Sequence, residues 1–250
     1  MEKHPLQLTG SLELRHTGGD IVGSDHRDNV GSFAQPPCFS SPFEGLGPFS
    51  TLREAYEAII TQQMQFLSSR EVNSLPVDNY LSFLWRLSAL PKLVTESASA
   101  EGPFYLKHYD DKGDHILVDE EYNITGIIDW EFASVEAKEL AFSSPCMMWP
   151  VAEFYDGDND LAKDEEHFAT LFDQRGRPDL GDTVRCGRRW QRFLFFLGGG
   201  IPIGMDEFKS LFQGLRRSFV NEEDIVPYEK WKEEALKAFA NNQGLSHLLS

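Results

Sequence analysis

Five side chains that can carry acid–base or metal chemistry lie within one short segment, residues 104–131. They are His108, Asp110, Asp114, His115 and Asp129. Asp110 stands in a polar loop directly after an apolar run, where a side chain is exposed while its backbone is anchored. Asp129 ends the last apolar run of the segment. If the two aspartates converge, they suit a general base beside a Mg²⁺ ligand, since Mg²⁺ prefers oxygen donors.

The elements around these aspartates explain how they can meet. Two short apolar runs, residues 116–118 and 124–128, are separated by the turn-forming sequence Asp-Glu-Glu-Tyr-Asn. This pattern predicts a β-hairpin, and the apolar residues 104–106 predict a strand before the loop. The hairpin starts from the loop that holds Asp110 and ends at Asp129. We therefore expect the two carboxylates to converge although 19 positions separate them.

The rest of the chain predicts a mostly helical α+β protein, because strand patterns are few and helical spacing dominates. Ser50 is expected to cap a helix over residues 52–67, and Asp78 to cap a second one that ends near residue 93. Beyond Trp149 the expected helices are residues 161–174, 181–197, 205–220 and 227–241, with Gly244 as a stop signal. Residues 11–24 predict a hairpin turning at Gly18-Gly19, and residues 26–48 predict a loop.

The sequence resembles the aminoglycoside phosphotransferase and choline kinase-like family, particularly its fungal members. The residues that carry the resemblance are a His-x-Asp loop at 108–110, Ile-Leu-Val-Asp at 116–119 and Ile-Ile-Asp-Trp-Glu at 127–131. Residues 9–12 and 47–50 are similar to the connection that follows the hinge in that family. The resemblance implies a protein-kinase-like fold and the transfer of the ATP γ-phosphoryl group, with Mg²⁺, to a hydroxyl of a small molecule.

The resemblance also implies a role for each residue of the segment. By position, Asp110 is the catalytic base, Asp129 holds Mg²⁺, and His108 keeps the loop in shape. The family's second metal ligand is an asparagine five positions after the base, where this chain has His115. Imidazole is a poor ligand for Mg²⁺. Asp114 is an alternative to His115 as the second ligand. The other alternative is that Asp129 and the phosphates hold the metal without a second protein ligand.

A nucleotide-binding N-lobe of the kinase type is not evident in this sequence. Such a lobe needs a glycine-rich turn and a strand lysine that grips the phosphates. No such turn precedes His108, and Lys3 and Lys92 are the only lysines in the first 100 residues. We expect residues 1–49 to form the hairpin and loop that follow the hinge. Residues 50–250 are expected to form a C-lobe with catalytic segment 104–131 and without an N-lobe.

Composition narrows the class of partner. The net charge of −17 argues against nucleic acid, because binding to a phosphate backbone needs clustered Lys and Arg. The longest apolar stretch, residues 193–203, is too short and too rich in glycine to span a bilayer. Three scattered cysteines, expected as buried free thiols, indicate neither a disulfide framework nor a zinc site. We expect a cytoplasmic protein, with a small hydroxyl compound as acceptor or a protein partner on the surface that an N-lobe would cover.

Three classes of function stay open. The first is a phosphotransferase, and the second is an inactive pseudokinase-like binding or scaffold protein. The third is a Zn²⁺- or Mn²⁺-dependent hydrolase built on four of the five residues, His108, Asp110, His115 and Asp129. The kinase-like motif disfavours the hydrolase. Four clustered arginines are predicted to form internal salt bridges, namely Arg185, Arg188, Arg189 and Arg192.

Overall fold

The protein is described by a computed structural model that covers residues 2–12, 30–33, 45–69, 75–195, 197 and 204–250. The strands in these ranges are β1 Gly10–Leu12, β2 Val30–Gly31, β3 Tyr105–Lys107, β4 Ile116–Val118, β5 Ile124–Ile127 and β6 Ser134–Glu136. The helices are α1 Leu52–Ser69, α2 Pro76–Thr95, α3 Lys138–Ala141, α4 Val151–Tyr155, α5 Lys163–Gln174, α6 Pro178–Cys186, α7 Arg188–Leu194, α8 Met205–Arg217, α9 Tyr228–Ala238 and α10 Gln243–Leu249.

The strands form two small antiparallel sheets beside a larger helical part, which confirms the predicted α+β class. One sheet has the order β2-β1-β6-β3, and β4 pairs with β5 in a separate hairpin. In the hairpin Ile116 lies opposite Ile127 and Leu117 opposite Gly126. The predicted hairpin is therefore confirmed. The predicted strand at 104–106 is shifted by one residue, to Tyr105–Lys107.

The amino-terminal segment joins the same sheet as β3, the strand that precedes the loop of Asp110. In β1, Gly10 lies opposite Val135 of β6, and the Thr9 hydroxyl donates to the Val135 carbonyl at 2.5 Å. Thr9 and Phe49 exchange two backbone hydrogen bonds of 2.9 and 3.0 Å. The two short sequence matches at 9–12 and 47–50 are thus neighbours in space. Most of the predicted 11–24 hairpin lies outside the described residues, and the predicted 26–48 loop contains strand β2.

Helices α1 and α2 form the centre of the hydrophobic core. Leu52, Tyr56 and Ile60 recur at helical spacing on the buried face of α1. The predicted cap Ser50 is wrong by one residue. The Thr51 hydroxyl accepts the Glu54 amide hydrogen at 3.2 Å, as an N-cap does. The first turn of α1 is therefore closed by Thr51.

The prediction that Asp78 caps α2 is wrong, because the helix already begins at Pro76. Its side chain is buried instead, where it accepts hydrogen bonds from the Tyr228 hydroxyl and, at 2.6 Å, from Lys232 Nζ. Both partners belong to α9. Asp78 thus joins the second helix to a helix 150 residues later, a long-range contact that a local capping rule does not consider.

The carboxy-terminal helices differ from the prediction at two glycines. The predicted helix at 181–197 is two helices, α6 and α7, which meet at Gly187. A Cβ at Gly187 would lie 2.8 Å from the Ser143 Cβ, so a larger residue would not fit there. Gly244 is not a stop signal, because it lies inside α10. The short helix α4 was not predicted.

Three of the four clustered arginines form the predicted internal salt bridges, and Arg192 instead bonds to neutral groups. Arg188 Nη2 lies 2.6 Å from Glu165 Oε2, and both side chains are buried. Arg192 donates to the Asn159 side chain and to the Asp158 carbonyl. The two remaining members, Arg185 and Arg189, pair with acidic side chains, Asp173 and Glu96. The cluster therefore stabilises the helical part and offers little charge to a ligand.

Two further predictions concern cysteines and membranes. Cys146 and Cys186 are free thiols, as expected. The expected burial is wrong for both, because Cys146 is half-buried and Cys186 is exposed. Cys38 lies outside the described residues. Among the helices of the described ranges, none combines the length and the apolar character that crossing a membrane requires.

Candidate functional site

The loop after β3 holds Asp110 at the surface and Asp111 in the interior. Asp110 is half-buried, and its Oδ1 lies 3.1 Å from Lys112 Nζ, a hydrogen bond that raises the pKa of Lys112. Asp111 Oδ2 lies 2.6 Å from Lys107 Nζ, and Asp111 Oδ1 accepts the Cys146 amide hydrogen at 2.7 Å. Asp111 thus ties the loop to the end of β3 and to the turn that contains Cys146, and Asp110 projects towards solvent.

His108 connects this loop to the end of the hairpin. Its Nε2 lies 2.8 Å from the Ile128 carbonyl oxygen, which can only accept, so Nε2 carries the proton. The ring stacks on His115 at a centroid distance of 4.1 Å, and the edge of Trp130 meets it at 4.9 Å. Nδ1 is buried and has no hydrogen-bond partner among the described residues. The contacts of His108 are those of a residue that holds the loop and the hairpin together.

Asp129 follows β5 in an unusual backbone conformation. Its φ of 61° and ψ of 44° are left-handed, and Tyr122 is the other non-glycine residue with positive φ in the described chain. This conformation costs an ordinary residue roughly 1–2 kcal/mol, and Asp tolerates it better than most. Asp129 is exposed, and its carboxylate does not cap the 3₁₀ turn Trp130–Phe132 that follows. Because strained backbone is often found at functional sites, the conformation of the exposed Asp129 makes it a candidate functional residue.

His115 and Asp114 occupy different environments although they are adjacent. His115 is buried, stacks on His108, and accepts the Gly113 amide hydrogen on Nδ1 at 3.3 Å. Asp114 is exposed. Asp114 is therefore more accessible to a metal ion than His115, and its carboxylate offers the oxygen atoms that Mg²⁺ prefers.

The geometry brings together the segments that carry the five predicted residues. Asp110 is two residues beyond His108, and Asp129 directly follows Ile128, so both aspartates lie next to the His108–Ile128 hydrogen bond. The described residues contain no group of three or more His, Cys, Asp or Glu side chains arranged to hold a metal ion. A metal here would need ligands from a bound molecule as well as from the protein.

Sequence reasoning missed two residues that shape the loop, Lys107 and Asp111. Their opposite charges four positions apart were a visible signal, but such spacing is diagnostic only in a helix, and these residues span a strand end and a loop. Lys92, noted in the sequence as following a helix, lies within α2, and its Nζ donates to the Phe219 carbonyl at 2.6 Å. It therefore joins α2 to the segment after α8.

Comparison of this chain with protein-family models, with curated protein sequences and with solved structures finds no match.

Proposed function

We propose that residues 104–131 are the catalytic segment of a phosphotransferase with a kinase-like C-lobe, similar to the aminoglycoside phosphotransferase and choline kinase-like family. One observation carries the proposal. The hydrogen bond from His108 Nε2 to the Ile128 carbonyl fixes the loop of Asp110 beside the strand end of Asp129. Positioning supplies most of the catalysis in phosphoryl transfer, so two fixed and accessible carboxylates are the feature such a site requires.

In the proposed reaction Asp110 accepts the proton of the acceptor hydroxyl as the O–H bond breaks. The hydroxyl oxygen forms a bond to the γ-phosphorus of ATP, while the bond from that phosphorus to the bridging oxygen breaks and ADP leaves. Lys112, 3.1 Å from Asp110, stabilises the ionised carboxylate that acts as the base. His108 takes no proton from the acceptor, because it is buried behind the loop.

The donor chemistry of the segment fits Mg²⁺ better than Zn²⁺, because its accessible donors are carboxylate oxygens. Mg²⁺ is usually held by one or two carboxylates, with water and substrate phosphates completing its shell. Asp129 supplies one carboxylate, and Asp114 is the candidate for a second. His115 instead supports the ring of His108. When bound, Mg²⁺ would neutralise charge on the phosphates.

Thermal unfolding with and without Mg²⁺ and ATP tests the proposal on the 250-residue chain. Binding stabilises the folded state by about 2.7 kcal/mol at a hundred times the Kd. We expect millimolar ATP with Mg²⁺ to raise Tm, and Asp129→Asn to remove this shift. Asp182→Asn, a change at an exposed aspartate in α6, should leave it intact. Absence of a shift in the unmodified protein would overturn the proposal.

Slow ATP hydrolysis, with water as the acceptor, tests the role of Asp110 without knowledge of the substrate. Loss of a general base lowers a rate by about 10²–10⁴-fold. We expect Asp110→Asn to lower the hydrolysis rate to this extent and to retain the Mg²⁺–ATP shift in Tm. An Asp110→Asn variant as active as the unmodified protein would remove Asp110 from the mechanism.

A second candidate function is favoured by the hairpin itself. Both strands expose large apolar side chains, and the exposed fractions reach 50% at Val118 and 66% at Ile124. Exposed apolar patches mark interaction sites. A pseudokinase-like protein would use this surface to bind a partner protein, and its role in the cell would survive Asp110→Asn. Phosphoryl transfer would not survive that change, so the same variant separates the two candidates.

A further inference from the structure

A cavity of about 220 Å³ opens beside the loop that holds Asp110. Tyr109 and Asp111, the two chain neighbours of Asp110, both line it, together with Trp149 and Phe195. Asp110 itself is not in the described lining, but its Cα is about 3.8 Å from those of both neighbours, so its backbone passes beside the cavity. Its described lining combines a small part of the catalytic loop with a largely apolar and aromatic wall.

The charged groups in the described lining are already paired with each other. Lys107 and Asp111 form an ion pair of 2.6 Å, and their side chains are only 12% and 8% exposed. The other oxygen of Asp111 accepts the amide hydrogen of Cys146. A cation entering the cavity would therefore meet no unpaired carboxylate in the described lining, and an anion would meet no unpaired ammonium group.

The amide and indole groups of the lining also have internal partners. Gln191 Nε2 donates to the Ser144 carbonyl and hydroxyl oxygens at 3.1 and 2.9 Å, and Gln191 Oε1 accepts from Arg188 at 2.8 Å. Trp149 Nε1 donates to the Ser144 carbonyl at 3.1 Å. Because the polar atoms of Gln191 and Trp149 bond to Ser144 and Arg188, these two residues present carbon surface to an occupant.

The two smallest polar residues of the wall do not add charge. The Ser143 hydroxyl donates to the Leu140 carbonyl at 2.9 Å. Burial, with the nearby Asp111 carboxylate as the next cause, raises the pKa of Cys146 to about 12, so its thiol is neutral at physiological pH. The cavity thus selects an occupant by shape and by apolar contact.

The volume limits the size of that occupant. An engineered apolar cavity of ~150 Å³ binds benzene, while sites for drug-sized molecules occupy roughly 300–1,000 Å³. At about 220 Å³ the cavity lies between these limits. One or two fused aromatic rings match this space, and the rings of Trp149 and Phe195 favour an aromatic occupant through offset or edge contacts.

We propose that this cavity binds a neutral aromatic hydroxyl compound of one or two rings, and that this compound is the phosphoryl acceptor. The role as acceptor rests on the proposed function, whereas the binding does not. The acceptor role requires that, with its rings in the cavity, the compound presents its hydroxyl beside Tyr109 and Asp111, between which Asp110 lies in the chain. Cationic acceptors such as choline and aminoglycosides lack a counter-charge in the described lining.

Calorimetric titration without nucleotide tests the binding step, with 2-naphthol as the probe. We expect one molecule to bind per chain with a Kd below about 1 mM. Choline and 2-naphthoate, which carry a positive and a negative charge, should bind at least about tenfold more weakly. Failure of 2-naphthol to bind at millimolar concentration, or equal binding of choline, would overturn the proposal.

A matched pair of cysteine variants locates the binding. Cys146→Phe fills the cavity and should weaken 2-naphthol binding by at least about tenfold, equal to ~1.4 kcal/mol. Cys186→Phe adds the same atoms at an exposed position outside the cavity and should leave the Kd within about twofold. Should circular dichroism show that Cys146→Phe is unfolded, Cys146→Leu, which adds fewer atoms, replaces it. Unchanged binding by the folded cavity variant would contradict the assignment.

The binding and transfer measurements have separate outcomes. If 2-naphthol binds in the cavity and is not phosphorylated by ATP with Mg²⁺, the site stands and its role as the acceptor site is wrong. If 2-naphthol does not bind while choline is phosphorylated, the cavity proposal is wrong and the phosphotransferase proposal stands.

Discussion

At the scale of single residues, the candidate site separates accessible groups from buried ones. Asp110 is half-buried and Asp129 is exposed, so both can reach a bound molecule. His108 and His115 are interior and stack on each other. Residue type alone suggests that all four are candidates for chemistry. Burial divides them into two accessible carboxylates and two buried histidines that stack on each other.

Glu136 is a buried carboxyl group that links the sheet to α1. It is 2% exposed, and the Tyr56 hydroxyl donates to it at 3.3 Å. Burial raises its pKa to about 7, while the hydrogen bond from Tyr56 and the charge of Lys107 oppose the rise. The unfolded chain releases this proton near pH 4.3. The protonated group therefore favours the folded state, and this stability is lost as pH rises from about 4.5 through about 7.

Glu136→Gln should remove this pH dependence, since glutamine does not ionise and still accepts the hydrogen bond. From pH 5 to pH 8 the unmodified protein should lose on the order of 3 kcal/mol more unfolding free energy than the variant. Urea unfolding at the two pH values measures the difference. Glu120→Gln, at an exposed turn position, is the control. The same pH dependence in Glu136→Gln and in the unmodified protein would disprove the assignment.

At the scale of elements, two helices can approach closely where one of them has a glycine. A Cβ added to Gly244 in α10 would lie 2.0 Å from the Tyr80 hydroxyl oxygen of α2. The same hydroxyl donates to Asn242 at 3.0 Å, and the Asn242 side chain accepts the Leu245 amide hydrogen at the start of α10. Gly244 therefore lets the last helix dock on α2.

Two effects predict opposite changes in the free energy of unfolding of the Gly244→Ala variant. Helix propensity alone predicts about 1 kcal/mol of stabilisation. Overpacking against Tyr80 predicts a loss of about 1–3 kcal/mol, and we expect this effect to win because the close contact is with a packed ring. Urea unfolding measures the sign. Gln243→Ala, at the exposed neighbouring position, should change stability by less than about 0.5 kcal/mol. A stabilised Gly244→Ala variant would show that α10 packs less closely against Tyr80 of α2 than the structure indicates.

At the scale of the whole molecule, the chain is strongly acidic, and the β4–β5 hairpin exposes a group of large apolar side chains. The chain carries a net charge of −17, which keeps like molecules apart. The exposed apolar side chains of the hairpin include residues of both strands and of the turn between them. They are Leu117, Val118, Tyr122, Ile124, Ile127 and Ile128. The protein partner expected from the sequence would bind the surface that an N-lobe would cover; in the pseudokinase-like alternative proposed above, the partner binds to the hairpin.

Replacing the cross-strand pair Val118 and Ile124 with threonine should reduce apolar association and preserve the hairpin, because threonine favours strands. Sedimentation at rising concentrations and the fluorescence of an apolar dye measure the effect. We expect dye binding to fall by roughly half, with the unfolding free energy changed by less than about 1 kcal/mol. The control replaces Val220 and Leu249, which are exposed elsewhere, with threonine. An equal fall in the control would remove the hairpin as the interaction surface.

The site segment could be predicted from sequence because its interactions are mostly local. The hairpin register follows from two apolar runs and a short turn, and β4 and β5 formed where expected. Strand β6 was missed because Ser-Val-Glu has no apolar run. Its pairing with β1 joins residues more than 120 positions apart. Windows of sequence cannot detect a strand whose stability comes from distant partners.

The same limit applies to charged side chains. The internal partners of the arginine cluster were predicted because an acidic chain supplies many of them, but the burial of Arg188 with Glu165 was not. Asp78 was assigned to a helix cap by a local rule, whereas α9 provides its partners. Composition predicts that charges are paired, and only packing decides which of them are buried.

The sequence by itself determined the α+β class, the hairpin, and the residue types in the segment that holds Asp110 and Asp129. These depend on periodicity and spacing, which act over a few residues. The tertiary structure alone decided that His108 bonds to Ile128 and stacks on His115. It also decided that Lys107 and Asp111 neutralise each other in an ion pair that lines a largely apolar cavity. Such contacts form only when distant segments pack together, since each segment lacks its partners on its own.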